Sequence, residues 1–146
     1  MANNEVVEFA EAVGAKDLKE IFSSSEFRGI FKRRNYFLIG TEQYLIIKVS
    51  RSKKPFWGIG KDFIELFNTL TEKSGNYFLV ALVSNTSGWV LSKRELLSSI
   101  ANESLSYAER GNQYKLNFHN LKDNQSFHSP KRFLKIIGLE ETYHND

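Results

Sequence analysis

Tyr36-Phe37-Leu38-Ile39-Gly40-Thr41-Glu42-Gln43-Tyr44-Leu45-Ile46-Ile47-Lys48-Val49-Ser50 is the stretch on which the fold turns. Two runs rich in aromatic and β-branched residues flank Gly40-Thr41-Glu42-Gln43, the composition of a β-hairpin. Their apolar residues are nearly continuous instead of alternating with polar ones. Strands of that kind belong to a sheet covered on both faces.

Immediately downstream, Lys48 to Lys61 crowds five cations, Phe56, Trp57, Pro55, Gly58 and Gly60 into what reads as one loop before a helix. Asp62, with Glu65 three positions on, offers an N-cap and a partner for the helix dipole. Phe63, Ile64, Leu66, Phe67 and Leu70 then recur at helical spacing. Ser74-Gly75-Asn76 breaks that helix, and Tyr77 to Val83 reads as a buried central strand. Trp89 to Leu91 is a short strand, and Ser92 with Glu95 forms a capping box for a helix through Ile100. Leu105 to Ala108 and Tyr114 to Phe118 are two further β-like pieces around Arg110-Gly111-Asn112. His119 to Ser129 reads as a long polar loop, and a last helix starts at Pro130 and ends at Gly138.

Upstream, Val6, Val7, Phe9, Ala10 and Val13 predict an amphipathic helix over 5–13, and Lys16 to Phe22 repeats the pattern more briefly. The order of elements predicts an α/β or α+β protein with a single mixed β-sheet flanked by helices. One globular domain over residues 1–139 and a frayed tail over 140–146 are expected.

Hydrophobic residues make up 41% of the 146 and charged residues 25%, the proportions of an ordinary globular chain. No cysteine is present, which excludes disulfides and thiolate metal sites and fits a cytoplasmic location. No apolar run approaches the ~20 residues of a membrane helix, and no membrane partner is expected. The net charge of +3 hides an asymmetry. Residues 28–61 hold nine Lys or Arg against Glu42 alone, a charge of +8 that leaves −5 for the rest. Concentrated positive charge is the electrostatic footprint of an anionic partner, nucleic acid above all. Phosphate contacts are expected from Arg28, Lys32, Arg33, Arg34, Arg51, Lys53, Lys54 and Lys61. Phe56 and Trp57 are the candidates to stack on a base or meet a groove wall; the alternative for both rings is to fold back onto the core.

Gly58-Ile59-Gly60-Lys61-Asp62 does not make a phosphate-binding loop of the nucleotide-triphosphatase type. Pro55 stands where that motif needs its first glycine, and Asp62 where it needs Ser or Thr. His119, Asp123 and His128 lack any recognised metal-ligand spacing. Lys131, Arg132 and Lys135 either extend a phosphate-binding face or form the solvated side of the last helix.

Lys48 is the other unusual residue, a cation following Ile46 and Ile47 in an apolar strand, where an unpaired ammonium is costly. The order helix, hairpin, basic loop, helix, apolar strand, over roughly residues 8–97, resembles the core of PD-(D/E)XK nucleases. Ile46-Ile47-Lys48-Val49-Ser50 looks like that family's strand ending in E-x-K. The resemblance implies DNA binding in a restriction or repair setting, with Lys48 matching the lysine that assists the attacking water. The family's metal-binding Glu falls on Ile46, and its earlier Asp falls within Tyr36 to Leu38, where there is none. Lys48 is thus the only catalytic candidate, and no metal ligand or cofactor is assigned.

The expectation is a protein that binds nucleic acid, duplex DNA foremost, either as a degenerate nuclease without catalysis or as a recognition subunit. A magnesium-dependent endonuclease is the alternative, with Glu8, Glu26 or Glu42 migrating to the site. A protein-interaction module meeting an acidic partner through the basic loop is the third.

Overall fold

The computed structural model describes residues 4–21 and 36–139. Helix α1 (Asn4–Val13) leads into a two-residue strand β1 (Lys16–Asp17) and one helical turn, α2 (Leu18–Ile21). Strands β2 (Tyr36–Ile39) and β3 (Gln43–Val49) form the expected antiparallel hairpin, with Tyr36 opposite Ile46. Strand β4 (Phe56–Gly60), helix α3 (Lys61–Leu70) and strand β5 (Asn76–Leu82) follow, then β6 (Gly88–Ser92) and α4 (Lys93–Ala101). The chain ends its described part with β7 (Ser106–Ala108), β8 (Gln113–Asn117), two 3-10 turns (Phe118–Asn120 and Asp123–Gln125), β9 (Ser126–Phe127) and α5 (Pro130–Ile136).

The architecture is α+β. A mixed sheet runs in the order β1-β2-β3-β5-β6-β9, with β3 and β5 parallel and every other neighbour antiparallel. Continuous apolar runs are buried here because both faces of this sheet are covered. Leu45, Ile47, Phe78, Val80 and Leu82 point to one face and pack with Phe9 and Val13 of α1 and Phe133 and Leu134 of α5. Ile46, Leu79, Ala81 and Leu91 point to the other, toward Phe67 of α3 and Leu96 of α4. One residue of register separates the two cores, as the period of a strand requires.

A second sheet, β4-β8-β7, departs from the expected single sheet. The stretch read as a loop as far as Lys61 instead becomes strand from Phe56 onward, because β8 supplies an antiparallel partner along all of β4. Trp57, Ile59 and Leu116 send their side chains into the second core, so the small sheet is a lid over it. The stretch from His119 to Ser129 likewise contains the two 3-10 turns and β9. Lys16 to Phe22, expected as a helix, opens as a strand whose Lys16 pairs opposite Leu38. The capping box of α4 forms as read: Ser92 Oγ accepts from the Glu95 amide at 3.1 Å, and Glu95 Oε1 accepts from the Ser92 amide at 2.8 Å. Helix α5 begins with Pro130 behind a Ser129 cap.

Candidate nucleic-acid interface

The basic loop is short and pinned at both ends. The Leu82 carbonyl, at the end of the central strand, accepts from the Ser50 amide at 2.9 Å and from Trp57 Nε1 at 3.0 Å. The buried Ser50 hydroxyl in turn accepts from the Phe56 amide at 3.3 Å, closing the loop across its base. Only residues 51–55 project. Hydrogen bonds at both ends restrain them, which lowers the entropy lost when a loop is ordered on binding.

Lys53 and Lys54 are exposed at the tip. Arg51 is exposed as well, but its guanidinium grips the Glu5 carboxylate of α1 in a two-pronged pair, with Nε to Oε2 at 2.8 Å. That hydrogen bond holds the Glu5 carboxyl below its usual range. Phe56 is 48% exposed, while Trp57 is 2% exposed and packs edge-on against Trp89 at 5.9 Å between centroids. The expected contact between Trp57 and a base is therefore replaced by a core role. Alternation along β4 sends Trp57 and Ile59 inward and leaves Phe56, Gly58 and Gly60 on the outer face.

Lys61 is set apart from the loop cations. Its ammonium lies 5.9 Å from the centroid of the Tyr107 ring, on the side of the small sheet that carries Tyr107 and Tyr114. The Asp62 N-cap is also corrected. Gly60 occupies the cap position, because strand β4 runs straight into α3 and the Lys61 amide donates to the Asn112 carbonyl at 3.0 Å. Asp62 sits in the first turn and accepts from Asn112 Nδ2 at 3.2 Å. Arg28, Lys32, Arg33 and Arg34 lie outside the described residues, as does Glu26. Lys131, Arg132 and Lys135 are exposed on α5, across the large sheet from the small one.

Lys48 follows Ile46 on the same face of β3 and stands opposite Ala81. It lines a cleft of 230 Å³ with Tyr36, Gly58, Gly60, Asp62, Phe63, Asn112 and Gln113 among its walls. Phe63 stacks on Tyr36 at 4.9 Å and 18° to form the apolar side. A Cβ at Gly58 would meet Gln113 Oε1, the movable end of that side chain, at 2.5 Å. The Gln113 amide therefore lies across the strand beside the cleft.

Of the carboxylates considered as migrating ligands, Glu42 sits at the opposite end of β3 from Lys48, about 20 Å away along the strand, where it accepts from Ser74 Oγ at 3.0 Å. Glu8 is on the solvent side of α1, which covers the other face of the large sheet. Asp62 is the carboxylate that does line the cleft, a placement that its position at the start of a helix does not reveal in sequence. Among the described residues no group of three His, Cys, Asp or Glu is placed to hold a metal ion.

Sequence reading also missed Lys115, Asn112 and Gln113. Lys115 is exposed and pairs opposite Gly58, so it shares the outer face of the small sheet with Phe56. The alternation of Tyr114, Leu116 and Phe118 marked the strand, but not its partner. No helix among the described residues is long and apolar enough to cross a membrane. The chain matches no protein-family model, no curated protein and no solved structure.

Proposed function

We infer that the protein binds nucleic acid, with DNA the expected form, through the loop at residues 51–55 and the outer face of the small sheet. The observation that carries this reading is the placement of Lys53 and Lys54, exposed beside an exposed Phe56 on a loop with hydrogen-bonded ends. Cations interleaved with an exposed ring suit a backbone of phosphates carrying stackable bases. The restriction or repair setting rests on the resemblance of the sequence to the PD-(D/E)XK core; in the structure strand β4 stands between the basic loop and α3. Isoleucine at position 46 favours recognition over cleavage, since a divalent ion needs anionic oxygen there.

The test is fluorescence anisotropy against labelled DNA over a series of salt concentrations. Binding with a steep salt dependence that Lys53→Ala/Lys54→Ala flattens is the expected result. Absence of binding, or a slope indifferent to those two lysines, overturns the reading. A magnesium nuclease is the second reading, favoured by one observation: Asp62 and Lys48 line the same cleft.

A further inference from the structure

We propose that the outer face of the small sheet is a track for an unpaired nucleic-acid strand, with Phe56 as the stacking ring and Lys115 as the phosphate contact. This rests on the nucleic-acid reading above and narrows its substrate from duplex to single-stranded segments.

The register of the sheet places the parts. Phe56 is opposite Asn117, Gly58 opposite Lys115 and Gly60 opposite Gln113, so these six share one face. Beyond Lys115 lies Ser106, and beyond Gln113 lies Ala108. The face is floored by Gly58, Gly60, Ser106 and Ala108, with the Gln113 side chain lying over Gly58, Lys115 beside it and the Phe56 ring at its end. From Phe56 to Gly60 it runs about 13 Å and opens into the Lys48 cleft, since Gly58, Gly60 and Gln113 also line that cleft. A strand laid along it would put a base on Phe56, a phosphate beside Lys115, and the next groups against the Gln113 amide and Lys48.

The same geometry disfavours a duplex. Bases in a duplex are stacked on each other and offer an isolated ring no face without unstacking. Nor does this face present a helix to a major groove, the usual way a duplex is read. Unpaired bases each offer a π-face, and stacking on an aromatic tolerates any sequence. Charge complementarity agrees, since Lys53 and Lys54 stand beside Phe56 and Lys115 lies on the face.

The experiment compares a labelled oligothymidine, an oligouridine and a DNA duplex of equal length at one salt concentration, with the intact chain and with Phe56→Leu and Lys115→Gln. The expected result is at least tenfold tighter binding of the unpaired strands than of the duplex. Phe56→Leu should erase about tenfold of that preference while leaving the salt slope alone. Lys115→Gln should reduce the slope by about 0.7 on the single strand. The oligothymidine and oligouridine arms separate DNA from RNA as the source of the strand. Duplex bound as tightly as single strand, or a preference untouched by Phe56→Leu, overturns this inference and leaves the nucleic-acid reading standing. Failure to bind any of the three polymers overturns both. Should Phe56→Leu melt early, the affinity ratio of the unaltered protein decides alone.

Discussion

Trp57 Nε1 and the Ser50 amide meet on one atom, the carbonyl oxygen of Leu82, at 3.0 and 2.9 Å. That oxygen ends the parallel pairing of β3 with β5, where Val49 stands opposite Leu82. The residue before the basic loop and the second residue of the strand after it are thus moored to the same point of the large sheet. The position of the loop follows from the core beneath it.

Trp57 should then be a stability residue. Trp57→Ala removes a fully buried ring and should cost about 3–5 kcal/mol. Trp57→Phe keeps most of the packing, loses the hydrogen bond to Leu82 and should cost less. Urea unfolding of both variants measures this. If Trp57→Ala unfolds at the wild-type midpoint while losing affinity, the ring acts on the ligand instead.

Arg51 should contribute less to the salt dependence than its charge suggests, because Glu5 already neutralises it. Lys53→Ala with Lys54→Ala should flatten the log–log slope by about 1.4 to 1.8, at 0.7–0.9 per phosphate. Adding Arg51→Ala should change it by well under a further unit. Glu5→Gln should steepen it by freeing the guanidinium. A full extra unit lost with Arg51→Ala would show that Arg51 leaves Glu5 to bind.

The same pair gives a pH signature. Arg51 lowers the Glu5 pKa from 4.5, so the stabilisation is complete above that value and fades as pH falls through the folded one. Glu5→Gln should remove that part of the acid limb and leave stability at neutral pH nearly flat. Thermal melts from pH 7 to pH 3 on both proteins compare the two.

Purified protein should not cut supercoiled or linear DNA with magnesium or manganese. Metal-dependent hydrolysis needs anionic oxygens to hold the ion, and on the proposed nuclease resemblance Ile46 stands where one ligand would be. Metal-dependent nicking abolished by Lys48→Ala would reverse this, and Asp62→Asn, on the same cleft, would be the next variant to assay.

Gly88 should tolerate no side chain. Its Cα faces the backbone of β5, and a Cβ would meet the Ala81 carbonyl oxygen at 2.3 Å. Gly88→Ala forces two paired strands apart and should destabilise by about 1–3 kcal/mol. Differential scanning calorimetry would detect the shift in melting temperature.

What the sequence determined by itself is local and periodic. The hairpin at 36–49, the buried strand from Tyr77, the Ser92–Glu95 box and the Pro130 start each rest on a few neighbouring residues, and each stands in the structure. The unusual character of Lys48 was legible too, as a cation in an apolar run. What only the tertiary structure decided involves partners far apart in the chain. Phe56-Trp57-Gly58-Ile59-Gly60 carries the turn formers of a loop, and becomes a strand because β8, over fifty residues later, bonds along it. That pairing sorts Trp57 into the core and Phe56 to solvent, a choice two adjacent aromatics cannot express in sequence. It also carries Asn112 and Gln113 to the cleft of Lys48 and sets Lys115 opposite Gly58 on the outer face. Arg51 reads as a free cation until α1 brings Glu5 to it across forty-six residues. Periodicity encodes which face a residue presents, whereas the partner it meets there is set by how the faces close on one another.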